Sequence, residues 1–414
     1  MYDAASYNGR AVEHRLACTN VMAPLIELRH PMLKEPVVAR SLHQVSPTYR
    51  VVSSTGRANP QAIDFFAGSG LVTAALKPNF SVVWANDICE KKAHVYRSNH
   101  QDYHFILEPI ERLTGGDLPT AVLSWASFPC QDLSLAGNME GIESPRSGLV
   151  WHWLRVMDEM ATRPPIVVAE NVTGLVSAEK GKHYRQLHQS LLQRDYRVGA
   201  MIIDAAHWVP QSRPRVFVVG VQKSVLTDGL EDAWPSWLHP IPIQRAAKGL
   251  EGWVWWRLPP PLTTRKNLQD IIDFSAPCDP KAKRDHNLSL IPPHHRQKLR
   301  RYVDAGFRVF PGYKRTRQGR QVLELRFDGM AGCLRTPEGG SSRQFLVLWR
   351  NGALETRLLT VKEVALLMGA TKRYKLPGSY NDGYKAMGDA VAVPVVKYLS
   401  QHLLAPLAAR ITWT

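Results

Sequence analysis

The sequence predicts an α/β fold, a parallel sheet wrapped by helices, with an irregular domain inserted after it. Three observations carry this. Short apolar, strand-like runs recur at 62–66, 82–85, 121–125, 166–169 and 216–221. Helix-like stretches at 91–99, 148–161 and 182–193 fall between them. A glycine turn, Phe66-Ala67-Gly68-Ser69-Gly70, closes the first strand and opens the next segment, as in folds that bring a ligand close to backbone.

Taken in order, residues 1–60 show no sustained periodicity and read as an N-terminal extension with prolines at 24, 31, 36, 47 and 60. Residues 61–222 hold the alternating pattern. Residues 223–354 are rich in Pro, Trp and Arg, with Trp253-Val254-Trp255-Trp256 and Pro259-Pro260-Pro261, and read as a separate, irregular domain. Residues 355–414 return to helix. Thr360 with Glu363 three residues on is a capping-box signature, and an apolar helix over 390–404 is expected to pack back on the first domain.

Composition narrows the function. The 414 residues carry 52 Lys and Arg against 36 Asp and Glu, a formal charge of +16. Residues 281–350 alone hold sixteen basic and five acidic side chains, a local +11. A basic region so concentrated implies a polyanionic partner, because each neutralised phosphate releases condensed counterions. No run approaches the roughly 18 apolar residues of a membrane span, and the first ten residues lack a secretory pattern. Five cysteines without a Cys-x-x-Cys pair argue against a disulfide framework or a metal site, and a cytoplasmic, reducing setting is expected.

Four motifs carry chemistry. Asp87 ends the second strand seventeen residues beyond Gly70, where a carboxylate can accept from both hydroxyls of a ribose; a helix N-cap is the plainer alternative. Glu108, after Phe105-Ile106-Leu107, could take the exocyclic amine of an adenine. Cys130 stands in Ser127-Phe128-Pro129-Cys130-Gln131 at the end of a strand, where Pro129 holds Phe128 extended. A thiol must be ionised to attack, so a catalytic Cys130 requires a lowered pKa. Residues 132–148 after it are polar and glycine-bearing, like a mobile lid. Glu170 ends the run 166–169 in Glu170-Asn171-Val172, and at a sheet edge beside a thiol it suits proton donation. Arg213 and Arg215, in Gln211-Ser212-Arg213-Pro214-Arg215, are forks suited to phosphate or a base carbonyl.

In order, Phe66-Ala67-Gly68-Ser69-Gly70, Pro129-Cys130-Gln131, Glu170-Asn171-Val172, Gln211-x-Arg213-x-Arg215, Leu359-Thr360-Val361-Lys362-Glu363 and Gly383-Tyr384-Lys385-Ala386-Met387-Gly388-Asp389-Ala390-Val391 resemble the motifs of DNA cytosine-5 methyltransferases of the bacterial restriction–modification type. The resemblance covers roughly 61–222 and 355–405. It implies a Rossmann-like, S-adenosylmethionine-dependent methyltransferase sheet with an inserted target-recognition domain. Phe66 would stack on the cofactor's adenine, Gly68 and Gly70 would admit its methionine part, Asp87 would bind the ribose and Glu108 the adenine amine. Pro129 and Asp389 would complete the cofactor site. Cys130 would be the nucleophile and Glu170 would face cytosine N3. Arg215 would contact the flipped base and Arg213 a nearby phosphate. Gln131, Ser134, Gln211 and Arg213 would contact DNA; apart from the resemblance, Arg343 is expected to contact DNA from Gly339-Gly340-Ser341-Ser342-Arg343-Gln344, a loop that combines backbone freedom with donors. Two positions depart from the family: Asp389 stands for the usual Asn, and Glu108-Pro109 for the usual Asp-Ile.

The implied partner is double-stranded DNA, read by a monomer, with a cognate restriction endonuclease belonging to the same system. A nicotinamide oxidoreductase would explain the glycine turn and Asp87 but not Pro129-Cys130-Gln131. An RNA cytosine methyltransferase shares the chemistry, and a basic insert of about 130 residues favours duplex DNA over it. A non-catalytic DNA-binding module leaves Cys130 and Glu170 unexplained.

Overall fold

The computed structural model of the chain describes residues 58–101, 104–129, 148–262, 266–335 and 343–411. Seven strands form its large sheet: β1 (Gln61–Phe65), β2 (Ser81–Asp87), β3 (Phe105–Leu107), β4 (Leu123–Ala126), β5 (Ile166–Asn171), β6 (Tyr196–Asp204) and β7 (Pro214–Gln222). They lie in the order β3-β2-β1-β4-β5-β7-β6. Among the helices between them are α1 (Leu71–Leu76), α2 (Glu90–Asn99), α3 (Leu149–Glu159) and Lys182–Leu192.

The central strands are apolar throughout because helices cover both faces. Side chains alternate between two cores. Ala62, Leu123, Ile166 and Val168 join α1 and the helix Val393–Leu399 on one face, through Leu71, Val72, Val395 and Leu399. Ile63, Phe65, Val167 and Ala169 join α3 and Lys182–Leu192 on the other, through Trp153, Leu154, Tyr184 and Leu191. One expectation is corrected. The sheet is parallel except for β7, which runs antiparallel to both β5 and β6. Residues 205–213 are too few for a parallel crossover, which needs about a dozen or more, so β6 and β7 pair as neighbours in opposite sense.

The region after 222 is also more ordered than its composition suggests. β8 (Glu231–Asp232) pairs with β9 (Trp255–Trp256), and Trp256 donates its indole N–H to the Val219 carbonyl at 3.1 Å. The amide of Val198, on edge strand β6, donates to the Gly252 carbonyl, and that of Val254 donates back to Val198, so this segment covers an otherwise open sheet edge. Leu238, Val254, Leu258, Leu268 and Ile272 belong to the large sheet's own core. Packing therefore continues past the expected boundary at 222 to about residue 276.

A second, antiparallel sheet follows, with β10 (Val309–Arg317), β11 (Arg320–Leu325), β12 (Gln344–Arg350) and β13 (Ala353–Leu358) in the order β11-β10-β12-β13. Its two faces are both apolar. Val309, Leu346 and Leu348 face the first core. Phe310, Phe345 and Val347 make a smaller core with Ile291 and with Leu299 of the helix Pro293–Asp304. The Thr360 capping box is present: Thr360 Oγ1 accepts from the Glu363 amide at 3.2 Å and Glu363 Oε2 from the Thr360 amide at 2.7 Å. Glu363 also pairs with buried Arg357 at 2.6 Å, tying this helix to β13.

Candidate active site

Sheet order reverses beside β1, and the carboxyl ends of β1, β2, β4 and β5 share one edge, the place where open α/β sheets hold ligands. The chain leaves β1 through Phe66 at φ 57°, Gly68 at φ 55° and Gly70 at φ 82°. A bulky side chain at positive φ costs roughly 1–3 kcal/mol and marks a site that the surroundings over-determine. The two glycines have different reasons. A Cβ on Gly70 would lie 2.5 Å from the His100 ring, so packing excludes it. A Cβ on Gly68 would meet nothing closer than 3.8 Å, ordinary contact, so here glycine serves the backbone conformation rather than packing.

Asp87 borders that turn. Its Oδ2 accepts from the Gly68 amide at 2.9 Å and its Oδ1 from the Cys89 amide at 2.8 Å, which fixes the carboxylate and leaves a lone pair on each oxygen. Lys92, from the next helix, reaches Asp389 with Nζ 2.8 Å from Oδ2. Beneath the turn, Asp64 is fully buried and accepts from Thr73 Oγ1 at 2.8 Å. Burial, with the Asp87 charge added, pushes its pKa up to about 7 against that hydrogen bond. Glu108 is exposed; Asn86 donates to its backbone carbonyl at 2.7 Å, and its side chain lies 3.6 Å from Arg112.

The second half of the site is built by β4 and β5. Ser127, Phe128 and Pro129 follow β4 directly, while Cys130, Gln131 and Ser134 lie outside the described residues. Asn171 Nδ2 donates to the Phe128 carbonyl at 2.9 Å and Trp125 Nε1 to Ser127 Oγ at 2.9 Å. The backbone entering Cys130 is thus tied to the strand that carries Glu170. Asn171 was legible only as a neighbour of Glu170; its positioning role required the fold.

Glu170 is 6% exposed, and Arg215 Nε stands 3.3 Å from its Oε1. Burial raises the Glu170 pKa, opposed by the charges of Arg215 and Arg213 and by a hydrogen bond from Ser127. The carboxyl is poised to hold a proton while remaining next to a cation.

Two expected DNA contacts are corrected. Arg213 is 1% exposed, and its guanidinium donates to the carbonyls of Leu334 at 2.7 Å, Gly388 at 2.9 Å and Ala390 at 2.7 Å. It clamps the segments around Leu334 and Asp389 onto the sheet and has no path to a phosphate. Gln211 is fully buried, donating to the Leu367 carbonyl at 2.8 Å and accepting from the Leu334 amide at 3.1 Å. Both side chains hold the catalytic half to the C-terminal half. Arg343 bonds Asn381 Oδ1 at 2.7 Å and lies over the Tyr380 ring.

A cleft of about 410 Å³ opens on the second sheet, lined by His294, His295, Arg315, Arg326, Arg335 and Cys333 among others. Cys333 Sγ is 3.5 Å from Arg213 Nη1 and 3.8 Å from Arg215 Nη1, so the cleft ends one side chain away from Glu170. The basic concentration was visible in the sequence but not this cleft, which needs β10, β11 and the start of the helix Pro293–Asp304 brought together. Among the described residues no group of His, Cys, Asp and Glu is arranged to hold a metal ion.

The profile of C-5 cytosine-specific DNA methylases matches residues 61–405. The chain is 23% identical over 351 residues to the type II methyltransferase M.FnuDI of Fusobacterium nucleatum, covering 82% of this chain and 93% of that protein. It is 24% identical over 352 residues to M.NlaX of Neisseria lactamica, covering 84% and 97%. The match to M.Bsp6I of Bacillus sp. is 29% identical over 165 residues and spans 39% of this chain and 51% of that protein. Among solved structures, the fold is similar to the S. pombe Dnmt2 methyltransferase, with TM-score 0.55, 19% identity, and 84% of this chain and 99% of that one covered. It is also similar to the Entamoeba histolytica methyltransferase EhMeth, with TM-score 0.56, 13% identity, and 85% and 99% covered. With its glycine turn, its buried strand-end carboxylate and a family match spanning both sheets, the chain belongs to the C-5 cytosine-specific DNA methylases.

Proposed function

We propose that the protein transfers a methyl group from S-adenosylmethionine to C5 of a cytosine flipped out of a specific duplex DNA sequence, through a transient bond between Cys130 and C6. The observation that carries this reading is the buried carboxyl of Glu170. It is held beside Arg215 on β5, and Asn171 ties the same strand to the Ser127–Pro129 segment leading into Cys130.

The residues fit the methyl donor. Gly68 keeps the turn's backbone free of a side chain, the Asp87 carboxylate is oriented by two amides, and Phe66 is held in a constrained turn between them. Asp87 would hold the ribose, Phe66, Glu108 and Pro129 the adenine end, and Gly68, Gly70 and Asp389 the methionine end. When bound, S-adenosylmethionine supplies an electrophilic methyl on a sulfonium.

The chain's own residues do the rest. The Cys130 thiolate forms a bond to C6, and the ring's C5–C6 electron pair shifts toward C5 and N3. Protonated Glu170 donates at N3, offsetting the charge that would otherwise build there, and Arg215 steadies the base beside it. C5 is then electron-rich enough to accept the methyl. As C5 takes the methyl, leaving S-adenosylhomocysteine, N3 returns its proton to Glu170; water then takes the C5 proton, that electron pair re-forms the C5–C6 double bond, and the C6–S pair leaves with the Cys130 thiolate. The base must be extruded, at about a few kcal/mol, because the ring is unreachable in a duplex.

The cleft bearing Arg315, Arg326 and Arg335 supports a DNA footprint on the second sheet. Type II methyltransferase relatives support a role as the modification enzyme of a restriction–modification system; an endonuclease of the same specificity, a cytoplasmic setting and a monomeric state belong to the same proposed reading. No helix among the described residues is long and apolar enough to cross a membrane.

Radiolabelled methyl transfer to duplex DNA and to tRNA, followed by bisulfite sequencing of modified DNA, tests this reading. Label in duplex cytosine at one sequence supports it. Label in tRNA alone, or turnover surviving in Cys130→Ser, overturns it.

A further inference from the structure

Asp389 forms an ion pair with Lys92, a residue on α2. Both side chains are largely sheltered, 18% exposed for Lys92 and 29% for Asp389. The pair stands beside Gly68 of the glycine turn. The Lys92 Cδ lies 3.8 Å, and Asp87 Oδ2 3.9 Å, from the point a Cβ on Gly68 would occupy. Asp389 is held from behind, since Arg213 grips the carbonyls of Gly388 and Ala390 on either side of it. Ser69, in the glycine turn itself, donates to the Ala386 carbonyl at 2.9 Å and keeps this helix end against the turn.

A lone carboxylate at 389 would repel the carboxylate end of a methionine moiety, while an ammonium and a carboxylate side by side complement a zwitterion. We infer that Lys92 and Asp389 together bind the zwitterionic amino-acid end of the methyl donor, Lys92 taking its carboxylate and Asp389 its ammonium. Lys92 is then a cofactor-binding residue in its own right. This rests on the proposed use of S-adenosylmethionine and assigns its methionine subsite.

Calorimetric titration of the full-length protein with S-adenosylhomocysteine and with 5′-methylthioadenosine, which lacks the amino-acid end, tests the assignment without turnover. Wild type should bind the first much more tightly than the second. Lys92→Ala and Asp389→Ala should each weaken S-adenosylhomocysteine by about tenfold or more, the scale of a charged hydrogen bond, and leave methylthioadenosine unchanged. Equal weakening of both ligands would make the pair a mere latch between helices and overturn the inference, as would unchanged binding of both. Failure of wild type to bind either ligand would instead remove the cofactor reading on which it rests.

Discussion

Arg213 and Arg215 stand two residues apart and look interchangeable in the sequence, yet they do different work. Arg215 faces Glu170, whereas Arg213 is buried against three carbonyls. What separates them is supplied by Leu334, Gly388 and Ala390, more than a hundred residues away, so no local pattern could show it. Glu170 was legible as a strand-end carboxylate because its apolar run forms β5; the buried tie of Gln211 was not, for the same reason as that of Arg213. Two outcomes follow. Arg213→Lys keeps the charge but cannot span three acceptors, and should cost about 3 kcal/mol or more in denaturant unfolding, because buried carbonyls lose their partners. Near-wild-type stability would refute the clamp. For Glu170, the raised pKa keeps the acid form present to higher pH than an ordinary carboxyl, so methyl transfer should decline as pH rises through that value. Arg215 opposes the shift; Arg215→Gln should therefore lower the maximal rate and move the alkaline decline to higher pH in a pH–rate profile. A decline moving to lower pH would contradict the assigned acid.

At the scale of elements, the glycine turn between β1 and α1 was readable as a ligand-approaching loop, but not which glycine does which task. Gly70→Ala forces a methyl against His100 and strains φ 82°, so it should destabilise the protein by about 1–3 kcal/mol, seen as a lower Tm. Gly68→Ala has room for its methyl and should instead weaken S-adenosylhomocysteine binding with a smaller change in Tm. Asp64 on β1 gives a pH test of the same element. Its folded pKa is raised from 3.8 to about 7, so its stabilising contribution is full below 3.8 and is lost as pH rises to about 7, by an amount on the order of a few kcal/mol. Asp64→Asn should flatten the stability–pH curve of unfolding across that window, and an unchanged slope would sink the assignment. The antiparallel course of β7 and the whole of β6 escaped the sequence reading, since hydrophobic runs report burial and not direction.

For the molecule as a whole, the charge concentration at 281–350 was visible in composition, while the second sheet that arranges it was not. β10 to β13 were hidden because buried apolar side chains of β10 and β12 lie on both faces, blurring the alternation that marks a half-exposed strand. Arg315→Ala and Arg335→Ala should each weaken duplex binding across sequences and reduce the slope of log K against log salt by about one, measured by fluorescence anisotropy; an unaltered slope would move the DNA footprint elsewhere. The account as a whole turns on a covalent bond to an extruded base. Incubating the protein and S-adenosylmethionine with a duplex carrying 5-fluorocytosine at the target position should leave a denaturant-resistant complex, because the fluorine at C5 cannot leave as a proton does. Mass spectrometry should place the linkage on the Cys130 peptide, and Cys130→Ser should form none. Methylation of ordinary duplex by a protein that yields no such complex, or a complex persisting in Cys130→Ser, would contradict the mechanism.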